Sequence, residues 1–289
     1  MFLNYCKCRK GGALFVTGAS SGIGQATAEL LSPSGFIVFG TSRTPDKLAG
    51  SYRWLPLDVR SDDSVQAAIQ SLLEQAGRID VLVNNAGYSQ VGAIEESSIA
   101  DVQAQFDTSL LGVIRMIKAV LPVMRRQGSG RIINISSVVG QVAPPYVGLY
   151  AASKFALEGL SEALRDEVRP FGVDVSLVEP AFVKTHIVSQ QLTNPITAYT
   201  LGRQATMQVL STSVESGMET GVVAHVILRA ATTRPRLRYL VGRDAKVLML
   251  LKRFLPASLF ERVRSRAFHS RQPADLQPQR HPQETVASD

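Results

Sequence analysis

Two side chains four residues apart, Tyr150 and Lys154, have the types and the spacing for acid–base chemistry. They stand at the start of a helical pattern, where a separation of four places both on one face, about one turn apart. The pKa of an unperturbed tyrosine is ~10, and a neighbouring ammonium stabilises the phenolate. Ser137 lies upstream, at the end of the apolar segment 132–136, and its hydroxyl can hold a carbonyl oxygen against Tyr150. The three residues predict proton exchange with a substrate oxygen, with Lys154 lowering the pKa of Tyr150.

The segment TGASSGIG at residues 17–24 lies between a predicted strand and a predicted helix. Gly18 allows a tight turn, Gly22 lets the backbone approach a phosphate, and Gly24 lets the helix pack on the strand. The amino terminus of that helix offers free N–H groups and a partial positive charge. The pattern predicts a dinucleotide pyrophosphate site made by Gly18, Ser20, Ser21, Gly22, Ile23 and Gly24.

The second predicted strand ends in GTSR at residues 40–43, without the acidic residue that binds a ribose 2′-hydroxyl in NAD enzymes. Arg43 would attract a 2′-phosphate there, whereas a carboxylate would repel it. The residue predicts NADP(H) as the cofactor, with a solvated loop arginine as the alternative.

Seven short apolar or β-branched segments alternate with helical patterns, as in parallel sheets with crossover helices. The predicted strands are Ala13–Thr17, Gly35–Thr41, Arg53–Leu57, Asp80–Asn84, Gly130–Ser136, Val173–Glu179 and Leu237–Val241. The predicted helices are Ile23–Leu31, Asp62–Ala76, Ser98–Arg126, Leu149–Arg169 and Glu219–Ala230. Right-handed crossovers place helices on both faces of such a sheet and gather ligand-binding groups at the carboxyl ends of its strands.

Further motifs follow the strands, and together they carry a resemblance to a known group of oxidoreductases. They are TGASSGIG, Asp58–Val59, NNAG at 84–87, Ser137, YAASK at 150–154 and the loop Pro180–Thr185. On these residues the chain resembles the short-chain dehydrogenase/reductase superfamily over about residues 12–242. The stretch YAASKFALEGLSEALRDEVRPFGVDVSLVEP is similar to its 17β-hydroxysteroid and retinol dehydrogenase branch. The resemblance implies a doubly wound, Rossmann-type α/β fold and an NADP-dependent enzyme that interconverts an alcohol and a ketone or aldehyde.

The resemblance also implies roles for single residues. Tyr150 would exchange the proton, steadied by Ser137, and Lys154 would bind the nicotinamide ribose; Asn84 would brace the sheet. The other implied cofactor contacts are Asp58 and Val59 at the adenine, Asn85, Ala86 and Gly87 at the ribose, and Pro180, Val183 and Thr185 at the carboxamide and phosphates. A homo-oligomer, a dimer or tetramer formed through the two long helices, is implied as well.

Two positions depart from the family pattern. Ser109 stands where the family usually has an asparagine that holds a water in the proton relay. A serine can also bind such a water, but its side chain is shorter than that of asparagine. The departure therefore concerns the proton path and turnover more than the binding of ligands. Ala181 follows Pro180 in place of the usual glycine, which matters only if the backbone there needs a positive φ.

Apolar residues after Ser137 predict a lipophilic substrate, such as a steroid, a retinoid or a fatty chain. The predicted contacts are Val139, Val142, Tyr146 and Ile187. Ile187 begins a long connection over 186–218 that is typical of a lid, with an ordinary surface excursion as the alternative. Two other functions fit the same motifs: a cofactor-binding sensor or scaffold with little catalysis, and a β-ketoacyl-carrier reductase whose basic carboxyl end docks an acidic carrier.

The composition excludes several classes of protein. With 289 residues, 45% of them apolar and 19% charged, the chain is no peptide hormone, collagen or wholly disordered protein. Residues 229–280 hold 13 basic and 3 acidic side chains, so the rest is slightly acidic, which argues against nucleic acid as a partner. Scattered histidines predict no metal site. The cysteines, Cys6 and Cys8, are too close for a structural disulfide, and no export or spanning segment is visible, so a cytoplasmic location is expected.

The predicted organisation has four parts. An amino-terminal extension covers 1–11, and an NADP-binding catalytic domain covers 12–242 and includes the 186–218 insertion. Residues 243–270 form a basic amphipathic stretch that covers the substrate cleft or contacts a lipid surface; helices packed on the core with solvated basic faces are the alternative. Residues 271–289, rich in Gln, Pro and charge, are predicted to be disordered.

Overall fold

A seven-stranded parallel sheet forms the centre of the molecule in the computed structural model, which describes residues 11–45, 50–185, 189–190 and 194–269. Its strands are β1 (Ala13–Val16), β2 (Ile37–Ser42), β3 (Arg53–Pro56), β4 (Val81–Asn84), β6 (Gly130–Ile135), β7 (Val173–Pro180) and β9 (Arg238–Val241). A short pair, β5 (Ser89–Gln90) and β8 (Ser189–Gln190), lies outside it. All seven strands predicted from the sequence are present, and the predicted α/β class is confirmed.

The helices that follow these strands lie on both faces of the sheet. They are α1 (Gly22–Leu31), α2 (Asp62–Ala76), α3 (Ile99–Phe106), α4 (Gly112–Gln127), α5 (Gly148–Val168), α6 (Thr200–Glu215), α7 (Thr220–Thr232), α8 (Arg243–Phe254) and α9 (Ala257–His269). Alternation along β1 shows how the two cores arise: Phe15 packs with α2, α4 and α5, whereas Leu14 and Val16 face the side of α1 and α7. Because both faces are covered, the strands are continuous apolar runs.

The prediction of one helix over Ser98–Arg126 was wrong in one respect. A π-helical turn, Asp107–Leu111, separates α3 from α4, and the Gly112 N–H bonds to the Asp107 carbonyl five residues back. The apolar periodicity continues through the turn, so it left no trace in the sequence pattern. Such π turns are rare and are frequent at functional sites.

The strand order is β3-β2-β1-β4-β6-β7-β9. β2 and β3 are added on one side of β1, and β4 and the later strands are added on its other side, so the strand order switches between β1 and β4. The loops after these two strands meet at the carboxyl edge of the sheet, where a crevice forms in open α/β folds. The sheet therefore positions the loop at 17–24 beside the segment at 85–87.

Two segments outside this frame have their own secondary structure. The described part of the 186–218 insertion contains β8, a 3₁₀ turn (Thr197–Tyr199) and α6. The basic stretch after residue 242 forms α8 and α9. Residues 1–10 and 271–289, and with them the predicted extension, tail and both cysteines, lie outside the described residues, as does Ile187.

Candidate active site

The turn after β1 needs its glycines for two different reasons. Gly18 and Gly22 have φ of 65° and 57°, in the left-handed region that side chains disfavour. Gly24, in the first turn of α1, instead provides space, because a Cβ there would overlap the Gly18 carbonyl oxygen and lie 2.5 Å from Asn85 Nδ2. Ser20 and Ser21 are exposed beside them, and Ile23 is half-buried.

The start of α1 has no side-chain cap and no acidic residue in its first turn. Free N–H groups and the positive end of the helix dipole therefore face the crevice, as a bound phosphate requires. On the far side, Thr185 approaches the turn so closely that its Cγ2 would lie 3.2 Å from a Cβ on Gly22. The residues present thus fit a dinucleotide.

Thr17, which the sequence analysis did not single out, joins the two loops of the crevice. Its Oγ1 accepts hydrogen bonds of 2.9 Å from the backbone N–H groups of both Asn85 and Ala86. The Asn85 side chain donates at 3.0 Å to the carbonyls of Thr17 and Gly18. Asn85 therefore shapes the glycine turn itself, and a direct contact to a ribose remains a prediction.

Asn84 lies one residue earlier, inside the sheet. Its Nδ2 donates to Asn134 Oδ1 at 2.8 Å, and Asn134 Nδ2 donates to Ser161 Oγ of α5 at 2.9 Å. This buried chain ties β4, β6 and α5 together, which agrees with the bracing role that the resemblance implied.

At the outer end of the crevice, Arg43 is exposed directly after β2. Asp58 lies near it but is bound by Arg60, whose Nη2 donates to Asp58 Oδ2 at 2.7 Å. The Arg60 hydrogen bond lowers the pKa of Asp58 to about 2, and the charge of Arg43 contributes to the shift. Val59 is buried against Gly112 at the start of α4.

Tyr150, Ser137 and Lys154 come together at the carboxyl edge of the sheet. The hydroxyl of Ser137 lies near the phenol of Tyr150 and acts to lower its pKa. Ser137 Oγ also accepts from the Val139 N–H at 3.2 Å and donates to the Pro180 carbonyl at 3.4 Å. Lys154 is buried on the same face of α5, with Nζ 5.7 Å from the centre of the Tyr150 ring.

The expected lowering of the Tyr150 pKa is not found in the ligand-free chain. Burial raises that pKa to about 12, against the opposing effect of the Ser137 hydrogen bond. Lys154 Nζ donates to the Ile135 carbonyl at 2.7 Å instead of reaching the phenol oxygen. At neutral pH the phenol therefore keeps its proton.

A buried acidic cluster, which no sequence pattern predicted, lies next to Lys154. Glu158, one turn further along α5, and Glu179, at the end of β7, are 5% and 0% exposed. Arg238 on β9 pairs with both, at 2.9 Å and 3.0 Å. Burial, with the charge of Glu158 as the second cause, raises the pKa of Glu179 to about 8, against the opposing charge of Arg238.

This arrangement predicts a pH limit on activity. Burial lowers the pKa of Lys154 to about 8, while the negative charge of Glu158 opposes that shift. Because a depressed lysine pKa means that the ammonium is lost as pH rises through that value, kcat/KM should fall above pH about 8. Glu158→Gln removes the opposing charge, so the alkaline limb should move to lower pH in a kcat/KM profile.

Glu162→Gln is the matched control, because Glu162 also pairs with Arg238 but is 54% exposed in its side chain. Its profile should coincide with that of the unmodified enzyme. An alkaline limb that stays in place in Glu158→Gln would contradict the assignment to Lys154.

Ser109 lies buried in the π turn, close to Gly87. Its Oγ accepts a hydrogen bond of 2.8 Å from Gln105 Nε2, and the same amide nitrogen donates to the Tyr88 carbonyl at 3.1 Å. Gln105, which sequence reasoning missed, thereby orients the hydroxyl beside the NNAG segment. Ala181 keeps a negative φ, so the methyl group in place of the family glycine is accommodated.

The predicted substrate residues that the structure describes lie in the loop between Ser137 and Tyr150. Val142 is buried, and Val139 and Tyr146 are half-buried. Tyr146 has a φ of 58°, a strained value for a side chain of this size, and its carbonyl accepts from the Gly92 N–H at 2.7 Å. Its phenol lies against Gly202 of α6, where any Cβ would collide with it. Tyr146 thus links the loop before α5 to α6 of the insertion.

A second link joins the insertion to the segment after β5. Glu96, 1% exposed, accepts from the backbone N–H groups of Ala93 and Ile196 at 2.9 Å each and pairs with Arg203 of α6. Ile196 and Arg203 are 100 and 107 residues away from Glu96 along the chain, so the sequence carried no signal for these contacts. At the start of the insertion, Val183 forms a backbone bridge with Met218.

Comparisons with known proteins agree with this geometry. The short chain dehydrogenase family matches residues 13–195. A 3-ketodihydrosphingosine reductase of Bacteroides thetaiotaomicron is 49% identical over 172 residues, which are 60% of this chain and 64% of that protein. A short-chain dehydrogenase from Streptomyces avermitilis superposes with a TM-score of 0.76 at 34% identity, covering 91% of this chain and 98% of that one. A short chain dehydrogenase/reductase from Burkholderia phymatum in complex with NAD gives 0.75 at 30% identity, covering 84% and 93%.

The family match extends from β1 to the insertion and includes the glycine turn, Ser137, Tyr150 and Lys154. All the motifs that carried the resemblance therefore lie within the matched segment, residues 13–195. The chain belongs to the short-chain dehydrogenase family, a family of oxidoreductases that use a nicotinamide cofactor.

Proposed function

We propose that the protein is an NADP(H)-dependent oxidoreductase that interconverts an alcohol and a ketone or aldehyde on a lipophilic substrate. The observation that carries the proposal is the grouping of Tyr150, Ser137 and Lys154 beside a glycine turn shaped for a dinucleotide. A bound nicotinamide cofactor supplies or accepts the hydride.

In the reduction direction, the Tyr150 phenol donates its proton to the carbonyl oxygen, and the Ser137 hydroxyl holds that oxygen in place. A Tyr150 pKa of about 12 supports this direction, because the donor is protonated at neutral pH. Lys154 holds a positive charge below the phenol, which stabilises the phenolate that remains after transfer. We assign to Ser109, whose hydroxyl is oriented by Gln105, the relay of the replacement proton to Tyr150.

The preference for NADP(H) rests on Arg43 and on the absence of an acidic residue at the end of β2. Pyrophosphate contacts are assigned to Gly18, Ser20, Ser21, Gly22, Ile23 and Gly24, and further cofactor contacts to Asp58, Val59, Asn85, Ala86, Gly87, Pro180, Val183 and Thr185. Asp58, whose carboxylate is influenced by the charge of Arg43, is already paired with Arg60.

The lipophilic substrate is supported by Val139, Val142 and the Tyr146 ring around the pocket, since apolar groups are desolvated at low cost. The name of the Bacteroides relative, a 3-ketodihydrosphingosine reductase, also supports a long-chain ketone. The insertion, which Glu96 and Tyr146 hold in place, would close over the alkyl chain of the substrate.

One experiment tests cofactor and substrate together. Oxidation of NADPH and of NADH is followed with long-chain ketones, retinal, steroid ketones and, for comparison, small polar ketones. We expect turnover with at least one lipophilic carbonyl. Turnover confined to small polar ketones would overturn the substrate class.

Arg43→Asp should lower the NADPH-to-NADH ratio of kcat/KM by about 10- to 100-fold, because a charge-assisted hydrogen bond contributes ~1.5–3 kcal/mol. Arg126→Asp, with the same charge change at the exposed end of α4, should leave the ratio unchanged. A ratio that favours NADH in the unmodified enzyme, or an unchanged ratio in Arg43→Asp, would refute the NADP proposal.

We propose in addition that the chain forms a homo-oligomer through α4 and α5. On α5, Phe155 is 44% exposed, and Phe171, in the turn after α5, is 45% exposed. A monomeric mass in sedimentation at micromolar concentration would contradict it.

A further inference from the structure

The two last helices, α8 and α9, barely contribute to the core. From Arg243 to Arg266, within the part of the chain that the structure describes, one side chain is buried, Ala245. Helices of 12 and 13 residues are marginal in water without a surface that covers their apolar side. These helices therefore lack a partner surface.

The uncovered apolar side chains of the two helices are here called the α8–α9 patch. On α8, Val247, Leu250 and Phe254 are 57%, 58% and 70% exposed, and their spacing of three and four places them on one helix face with Leu251. On α9, Leu259 and Val263 are 43% and 41% exposed and lie one turn apart.

Cationic side chains border the patch. Arg243–Arg266 contains seven basic residues against the acidic Asp244 and Glu261. The basic residues are Arg243, Lys246, Lys252, Arg253, Arg262, Arg264 and Arg266.

Two of these basic residues fix the position of the patch on the body. Lys252 Nζ donates to the Gln141 carbonyl at 2.6 Å, and Arg264 Nη1 donates to the Ala143 carbonyl at 3.1 Å. Both carbonyls belong to the loop between Ser137 and Tyr150, which carries Val139 and Val142. The patch therefore lies next to the proposed substrate pocket.

We propose that the α8–α9 patch docks on the surface of an anionic lipid bilayer. Apolar side chains enter the boundary between headgroups and acyl chains, while the basic rim contacts the anionic headgroups. The helices lie on the bilayer, since no described helix has the length and hydropathy needed to cross one. A second copy of the chain is the less favourable occupant, because a two-fold contact would bring two strongly cationic surfaces together.

Docking here would place the pocket at the bilayer, so that a lipophilic substrate enters without crossing water. This delivery role rests on the proposed function, whereas docking itself does not. The two can fail separately, because vesicle binding is measured without turnover.

The test is co-sedimentation of the full-length protein with two kinds of vesicle, phosphatidylcholine alone and a 70:30 mixture of phosphatidylcholine and phosphatidylglycerol. We expect at least tenfold stronger partitioning to the anionic vesicles at low salt, weakened by 0.5 M NaCl. Leu250→Asp/Phe254→Asp should reduce it at least tenfold, and Lys246→Glu/Arg253→Glu should do the same.

Ile99→Asp is the control, because Ile99 is 73% exposed in the first turn of α3, away from the patch, where an acidic residue suits the helix dipole. It should bind vesicles like the unmodified protein. Circular dichroism and thermal unfolding confirm that each variant is folded.

Three results would overturn the proposal: equal partitioning to both vesicle types, unchanged binding by both double variants, or a self-association that Leu250→Asp/Phe254→Asp abolishes without vesicles. The last would assign the patch to a second copy. Binding to an acidic protein but to no vesicle would equally refute a lipid partner.

Discussion

Tyr150→Phe is expected to lower kcat by ~10²–10⁴-fold, the range that a positioned general acid contributes. The substitution removes only the phenol oxygen, which lies near the Ser137 hydroxyl. The ring stays in place over Lys154, so NADPH affinity, measured by fluorescence titration, should remain within about twofold of the unmodified value. Steady-state kinetics on the best lipophilic carbonyl measures the loss.

Tyr239→Phe is the matched control, because it also removes one tyrosine hydroxyl from a buried ring. Its oxygen accepts from the Arg236 N–H at 3.2 Å, near the start of β9 and at the edge of the sheet opposite to the site. The control should cost about 1 kcal/mol of unfolding free energy and leave kcat unchanged. If Tyr150→Phe retained full activity, the proposed proton donor would be wrong, and a protein with no turnover before or after the substitution would fit a cofactor-binding sensor.

Gly24→Ala should abolish detectable NADPH binding and lower the melting temperature. Helix propensity alone predicts the opposite, since alanine is favoured over glycine by ~1 kcal/mol inside a helix. The added methyl group, however, would overlap the Gly18 carbonyl oxygen and press on Asn85 Nδ2, neither of which can move without opening the crevice. Overpacking of this kind costs ~1–3 kcal/mol, and here the strain falls on the phosphate turn.

Gly159→Ala separates these two effects. Gly159 is exposed in the middle of α5, and a Cβ there meets nothing within 4 Å. Alanine should therefore stabilise the protein by about 0.5–1 kcal/mol and leave NADPH binding as it was. Calorimetry and a binding titration on both variants check the pair. Similar melting temperatures for the two would show that Gly24 has no steric role.

The order and type of the elements followed from local patterns. Strands were found because continuous apolar runs are typical of a sheet covered on both faces, and Asp62–Ala76 was found with its exact bounds because Ser61 caps it and Gly77 ends it. The π turn was missed, since one extra residue in a helix does not interrupt the apolar periodicity.

In the active site, too, local spacing predicted some of the contacts, and contacts between distant segments were missed. Tyr150 and Lys154 share a helix face, and Gly18 to Gly24 share a turn, so spacing along the chain was enough to predict that each set would come together. Contacts between distant segments had no such signal: Glu96 with Arg203, Tyr146 with Gly202, and Glu158 and Glu179 with Arg238.

By itself the sequence determined the residue types, the strand order along the chain and the neighbours within each helix, because these depend on local geometry. The tertiary structure decided the protonation of the site. A pKa depends on how much water and which charges surround a group, and packing from several strands and helices buried Tyr150 enough to raise its pKa although Lys154 lies one turn away.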